Sequence, residues 1–421
     1  MTLELQTTET DLSRLRKFFA AHPEVTVLSI LIAVYLFVAN YLAWPATFGT
    51  NFLNVSGGSD PYYNYRVITY FLQTKHYLLF DPAINYPVGT TDPRNPFFEI
   101  FVVFIATLAS PFYNVNSAAT FTFLEFDALF GALLIIPVYL ISKEIFGIKA
   151  GILAAVLYTL MPSNLSAGIL SDGRMHTPEL LFAFFTIYFV IKSVTASKKS
   201  RIAKDLNPFA YKTRLSEIRS YFNENRLSTI YALLGSASLG ALMLSWQGYA
   251  YIEAIVGIYF VVQLMINLIT KRPTGYITYL SLLFFALAFV MSFYYYDSIN
   301  EISPWYKDGL YIAVFVVFLG ILVNFVGRRP WLITLPLLII IGGGVLVGAY
   351  YAFPSTVSSI LAGEGYFIKT RVYQTIAEAA APPLGEYISG FGVGQFLLGL
   401  AGLVYTIYLF FKKKQILTFS S

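Results

Sequence analysis

Cysteine is absent from this sequence, which excludes disulfides, thiolate metal sites and a cysteine nucleophile. Histidine is scarce as well: His22, His76 and His176 are the only three, too few for a histidine-rich zinc centre. Charge is thin, since Asp, Glu, Lys and Arg make up 12% of the chain, against roughly 25% in a soluble domain. In their place stands a 57% hydrophobic composition over 421 residues, an excess that needs lipid around it. The net charge of +5 does not point to nucleic acid, because the basic residues sit in loops between apolar runs, where membrane topology puts them.

The first apolar run, Val25 to Trp44, is about 20 residues long and fits a spanning helix better than the roughly 7–15-residue core of a secretory signal. Reading such runs against their flanking charges predicts about ten membrane helices, near 25–44, 118–142, 150–165, 177–194, 228–245, 249–268, 276–295, 307–326, 331–352 and 393–411. A further run, Phe97 to Phe112, lies between Pro96 and Pro111 and is expected to rest on or dip into the outer leaflet. Charge supports that choice. With a cytoplasmic N-terminus and 97–112 not crossing, 21 of the 28 Lys and Arg fall inside and every inner loop is basic. The remaining seven, Arg66, Lys75, Arg94, Arg174, Lys307, Lys369 and Arg371, fall outside. If 97–112 spanned, the basic run at 192–226 would be on the outside.

The expected organisation is therefore an all-α polytopic membrane protein. It has a cytoplasmic N-terminus (1–24), a transmembrane region (25–411) and a cytoplasmic tail (412–421). Its external segments are 45–117, 166–177 and 353–392, and its cytoplasmic loop 195–227 is a solvated connector touching anionic headgroups. The sequons Asn54-Val55-Ser56 and Asn164-Leu165-Ser166 are external and are weak signals of glycosylation of the chain itself.

Residues with chemical potential gather on the outer face. Asp60 follows Gly57-Gly58-Ser59 and precedes Pro61-Tyr62-Tyr63-Asn64-Tyr65-Arg66. Two readings stand for it: a hard-oxygen ligand for a divalent cation, or a cap for the helix that the next residues begin. In the second outer segment Asp172, His176 and Glu179 offer three ligands within eight residues. Thr177-Pro178 also reads as an ordinary N-cap and first turn, with Glu179 favoured by the helix dipole. The last outer loop carries Lys369, Arg371 and Glu378, able to meet a phosphate and a polar acceptor, or simply to be solvated. Glu125, Asp127 and Glu253 lie inside apolar runs, where ionised groups cost several kcal/mol, so they are expected to face the protein interior.

These residues resemble the catalytic subunit family of the oligosaccharyltransferases, membrane enzymes that move a lipid-linked glycan onto asparagine. Asp60 to Arg66 resembles the family's first acidic motif, and Asp81-Pro82 through Tyr86-Pro87-Val88-Gly89 is similar to its downstream element. Trp246-Gln247-Gly248-Tyr249 looks like its W-x-G-Y signature, and Thr375-Ile376-Ala377-Glu378 like the TIxE motif of prokaryotic members. The second acidic motif departs from the family's D-x-D, D-N-E or D-H-H: Asp172 is followed by Gly173-Arg174, and His176 stands alone.

The resemblance implies a GT-C-type glycosyltransferase architecture and a metal-dependent, inverting transfer from a polyprenyl or dolichyl (di)phosphate carrier to Asn-X-Ser/Thr. By carry-over, Asp60 and Glu378 hydrogen-bond the acceptor amide, and Asp60, Asp172, His176 and Glu378 hold Mn²⁺ or Mg²⁺. Thr375 and Ile376 belong to the acceptor loop. Arg174, Lys369 and Arg371 are candidates for the lipid phosphate on charge and side alone. Family members continue into a globular domain that reads the sequon; this chain ends one helix after the TIxE loop, so the resemblance leaves two expectations open, a truncated protein or a reader domain supplied by a separate partner chain. The alternative is a non-catalytic paralogue or subunit that binds the lipid-linked glycan or partner chains. A transporter that flips a polyprenyl-linked sugar accounts for the buried carboxylates but not for the outer motifs. The cysteine-free composition and the TIxE form point to an archaeal or bacterial cell membrane.

Overall fold

The computed structural model describes residues 13, 14, 17, 20–49, 58–91, 94–197, 216, 219, 220, 222–298, 304–326, 331–352, 354 and 383–413. Eight of the ten predicted apolar runs each fall on one helix, while 118–142 and 150–165 are each divided between two. Among the described residues six helices are long and apolar enough to cross a membrane, or seven if a bent pair near the C-terminus counts as one span. The chain divides into two compact units, residues 1–188 with 390–395 and residues 189–389 with 396–421.

The first unit opens with α1 (Pro23–Phe48), whose Tyr35, Ala39, Ala43 and Thr47 recur every four residues and form its buried face. Helix α2 (Asp60–Thr74) leads into a short antiparallel ribbon, β1 (Phe80–Asp81) with β2 (Thr90–Thr91). Asp81 anchors that ribbon. Its Oδ1 accepts from the Arg66 guanidinium at 2.9 Å and from the Ala83 N–H at 2.8 Å, so Asp81-Pro82 works as a structural clasp.

Helix α3 (Phe97–Ala109) has 13 residues, about 20 Å of rise against a hydrocarbon core of about 30 Å. That length suits an element that does not cross. It buries Phe98, Glu99, Val102 and Ala106 on one face, and the Phe98 ring sits 4.2 Å from that of Phe126 in edge contact. Phe126 belongs to α4 (Val115–Leu133), which continues as α5 (Ile135–Phe146) after a break at Leu134. Pro137 explains the break: it cannot donate to the carbonyl of Leu133 and its ring crowds that turn. Helix α6 (Ile148–Thr159) and the short α7 (Pro162–Ala167) return to the loop before α8 (His176–Thr195). Gly131 and Gly168 leave room for Tyr35, whose hydroxyl donates to the Asn164 carbonyl at 2.7 Å.

The second unit packs α9 (Arg226–Ser245) along α11 (Gly275–Ser298), and α10 (Tyr249–Ile269) along α12 (Pro304–Val326). With little apolar driving force between helices in lipid, small residues and polar ties hold them. Gly235 receives the Phe284 ring, and Ser236 Oγ accepts the Ala288 N–H at 2.9 Å. Asn324 on α12 donates to Thr278 Oγ1 at 2.9 Å and accepts from Thr274 Oγ1 at 2.7 Å. Helices α13 (Trp331–Ala352), α14 (Leu384–Phe391) and α15 (Val393–Lys413) complete the described chain.

Candidate functional site

Asp60 is the first residue of α2, and the N-cap position belongs to Ser59, whose side chain makes no capping bond. The Asp60 carboxylate turns instead to Arg94: Nη2 donates to Oδ1 at 2.9 Å, and Nη1 donates to the Asp60 carbonyl at 3.1 Å. Arg94 also donates to Asn64 Oδ1 and lies over the Tyr63 ring, 4.8 Å from its centre. Sequence reasoning placed Arg94 outside without giving it a role. Its one signal was its membership of the small set of external cations.

Asn64, one turn into α2, connects the two acidic segments. Its Nδ2 donates to the Gly173 carbonyl at 2.8 Å, and both residues are shielded from solvent. Gly173 has φ +64°, and a Cβ there would lie 2.7 Å from Pro61 Cβ, so the residue after Asp172 is glycine because α2 presses against it.

Asp172 is buried, with a side chain 2% exposed, and pairs in bidentate fashion with its near neighbour Arg174. Nη2 donates to Oδ1 at 2.8 Å and Nε to Oδ2 at 3.0 Å. That carboxylate pushes the guanidinium above its already high ordinary pKa, so Arg174 stays charged; the more distant Asp60 and Asp127 charges act in the same direction. Asp127, a fully buried carboxylate expected to face inward, does so. Its Oδ2 accepts the Arg174 backbone N–H at 3.1 Å and its Oδ1 accepts from Thr177 Oγ1 at 2.9 Å. Thr177, expected as an N-cap, thus serves to hold Asp127. Ser171, at φ +68°, donates its N–H to the Leu124 carbonyl at 2.8 Å and takes the Thr47 hydroxyl at 3.0 Å.

His176 opens α8, and its Nδ1 lies 3.6 Å from Glu179 Oε2. Among the described residues the ring has no hydrogen bond to Asp172. Glu125, the other acid expected inside an apolar run of this unit, accepts from Asn40 Nδ2 at 3.1 Å. Lys369, Arg371, Thr375, Ile376 and Glu378 lie outside the described residues.

In the second unit Trp246 leaves α9 in an extended conformation and its ring folds over Gly248, where a Cβ would collide with it. One turn on, Glu253 is completely buried, with no hydrogen-bond partner for either carboxylate oxygen among the described residues, and Gly309 packs against it.

The group that the family resemblance implies is an oxygen-ligated divalent cation. Among the described residues no three of His, Asp and Glu converge as a metal site. The donor chemistry nonetheless fits a partial set: Asp60 and Asp172 carry hard oxygens, stand on segments joined by the Asn64–Gly173 bond, and Asp60 remains 57% exposed.

Residues 27–368 match the family model described as oligosaccharyl transferase STT3, N-terminal. A dolichyl-phosphooligosaccharide-protein glycotransferase 3 of Archaeoglobus fulgidus is 32% identical over 164 residues, 38% of this chain and 18% of that protein. The dolichyl-monophosphooligosaccharide-protein glycotransferase AglB of Haloferax volcanii is 25% identical over 258 residues, 59% of this chain and 23% of that one. Among solved structures, an Archaeoglobus fulgidus oligosaccharyltransferase AglB, captured with an inhibitory peptide and a dolichol-phosphate, shares the fold. Its TM-score is 0.72 at 18% identity, over 94% of this chain and 46% of that chain. This chain spans about a fifth of the length of those two glycotransferases, 18% and 23%. With the family model matching most of its length, 27–368 of 421 residues, this polytopic membrane chain belongs to the oligosaccharyl transferase STT3 family.

Proposed function

We propose that the chain is the membrane catalytic part of an oligosaccharyltransferase, acting at the non-cytoplasmic face on a polyprenyl- or dolichyl-linked glycan. The acceptor is the asparagine side chain of Asn-X-Ser/Thr. The observation that carries this reading is the direct tie between Asn64 and Gly173, which sets the two acidic segments, with Asp60 and Asp172, side by side. The relatives named as dolichyl-linked glycotransferases support the donor class.

The chemistry explains why acids are needed there. An asparagine amide nitrogen is a poor nucleophile because its lone pair is shared with the carbonyl. Carboxylates that accept the amide N–H groups reduce that sharing, and in this reading Asp60 and Glu378 take that part. The C–N bond forms at the anomeric carbon as the C–O bond to phosphate breaks, with inversion, and the proton lost by the amide nitrogen passes to a carboxylate or to the leaving phosphate. A bound Mn²⁺ or Mg²⁺, held by Asp60, Asp172 and Glu378 with His176 as a further ligand, would offset the charge developing on the leaving phosphate. Arg174, Lys369 and Arg371 are the cations assigned to the carrier phosphate. Apolar helix faces receive the lipid tail, at up to about 0.8 kcal/mol per buried CH₂.

One observation favours a second reading, a non-catalytic subunit that binds the lipid-linked glycan: both described acids are already engaged by guanidinium groups, Arg94 on Asp60 and Arg174 on Asp172. The test is glycan transfer from a polyprenyl-linked donor to a short Asn-X-Thr peptide in Mn²⁺ buffer, with and without co-purifying chains. Transfer that requires this chain supports the enzymatic reading. Donor binding without transfer, in a complex containing every co-purifying chain, overturns it.

A further inference from the structure

Asp172 is a buried carboxylate whose charge is met entirely by the side chain two residues on. Both oxygens accept from Arg174, through Nε and Nη2, at distances of 2.8 to 3.2 Å. A charged carboxylate only 2% exposed is costly to leave without a partner, so loss of the guanidinium favours another cation in its place. The same two oxygens are the ones a divalent ion needs. A guanidinium and a doubly charged ion on one carboxylate, in a poorly solvated pocket, repel each other strongly.

Arg174 is built to give way. Its backbone N–H is fixed to Asp127 Oδ2 at 3.1 Å, and the next turn is fixed by Thr177 on Asp127 Oδ1 at 2.9 Å, so the main chain stays in place whatever the side chain does. The side chain itself is 35% exposed, and its Nη1 has no partner among the described residues. The field of Asp60 reaches it.

We propose that Arg174 is a tethered cation that competes with the divalent ion for Asp172, so that metal loading in this chain requires the guanidinium to swing off the carboxylate. The inference rests on reading Asp172 as part of a divalent-cation centre. Arg174 is a positioning residue in this scheme: it sets the occupancy of the metal site through Asp172. When it leaves, Asp60, whose field already reaches it, and an anion arriving on its exposed side are the charges that can receive it, so metal and incoming phosphate would replace one shared ion pair with two separate ones.

The experiment is Mn²⁺ titration of the full chain in uncharged-lipid nanodiscs, followed by the loss of the free-ion electron paramagnetic resonance signal. Variants are Arg174→Gln, which keeps length and removes charge, Arg174→Lys, which keeps charge, and each combined with Asp172→Asn. Thermal unfolding identifies any variant that fails to fold; if Arg174→Gln does, Arg174→Met, uncharged and of similar length, carries the test with the same tenfold gain expected. Arg174→Gln should bind Mn²⁺ at least tenfold more tightly than wild type, and Arg174→Lys should stay within about threefold of wild type. In the Asp172→Asn background the Arg174→Gln effect should vanish. Equal Mn²⁺ affinity in wild type and Arg174→Gln overturns the competition and leaves the metal reading intact. No Mn²⁺ binding by any protein, up to millimolar ion, overturns both.

Discussion

Asn64 and Gly173, 109 residues apart in the chain, share a buried hydrogen bond of 2.8 Å. It links the first turn of α2 to the loop before α8, and so makes one wall from two acidic segments. Removing the amide leaves a buried carbonyl without a donor, a loss of about 1–3 kcal/mol. Asn64→Leu should therefore lower the thermal midpoint in detergent and reduce glycan transfer more than tenfold. Asn64→Gln, which can reach the same carbonyl by a shift, should be milder. Unfolding followed by intrinsic fluorescence, with peptide glycosylation alongside, checks both.

Gly173 occupies a conformation that costs an L side chain about 1 kcal/mol, and an added methyl would also meet Pro61 Cβ at 2.7 Å and Phe123 at 2.8 Å. Gly173→Ala should destabilise by about 1–3 kcal/mol and push Asp172 away from α2. Proteolysis of the loop at Arg174 by trypsin, slow in wild type, should speed up in the variant.

Much of this was legible beforehand. The ten apolar runs all lie mainly in helical segments, two of them broken, because helix-forming apolar stretches are a matter of length and hydropathy, both readable residue by residue. The prolines that bracket 97–112 stand just outside a 13-residue helix, Phe97–Ala109. What escaped notice was pairing between distant charges. Arg94 gave no local sign that it would fold back onto Asp60 and Tyr63, since the pattern around it has no period to place it on a face. Asp60 offers both a cap and a ligand in sequence; Ser59 takes the N-cap position, a backbone property invisible in side-chain types, which removes the capping role and leaves the ligand role as a proposal. Asp127 was expected to point inward, but its role of fixing the Arg174 main chain depends on a loop 47 residues away. The Gly248 in W-x-G-Y looked like a signature letter; it is there because the Trp246 ring lies on it.

Asp127 accepts two hydrogen bonds in a fully buried place, from Arg174 N–H and Thr177 Oγ1. Asp127→Ala orphans both donors and should cost about 2–5 kcal/mol, whereas Asp127→Asn retains one acceptor and should lose less than half of that. Thermal unfolding midpoints of the two variants in the same detergent measure the difference. A result in which alanine is as stable as asparagine would mean that the loop finds other partners.

Glycan transfer itself should depend on Asp60 and Glu378 in a way that stability does not. Asp60 is more than half exposed, with Arg94 as its ion-pair partner, so Asp60→Ala removes a surface pair worth well under 1 kcal/mol. The folded protein should remain in the membrane with an unchanged midpoint. Transfer to an Asn-X-Thr peptide should nevertheless fall by at least a hundredfold in Asp60→Ala and in Glu378→Gln, because under the proposed mechanism both lose an acceptor for the amide N–H groups and a ligand for the cation. EDTA should reproduce the loss in wild type, and Mn²⁺ should reverse it there but not in the variants. Wild-type rates from both variants, in a complex proven active, would remove these two acids from the chemistry.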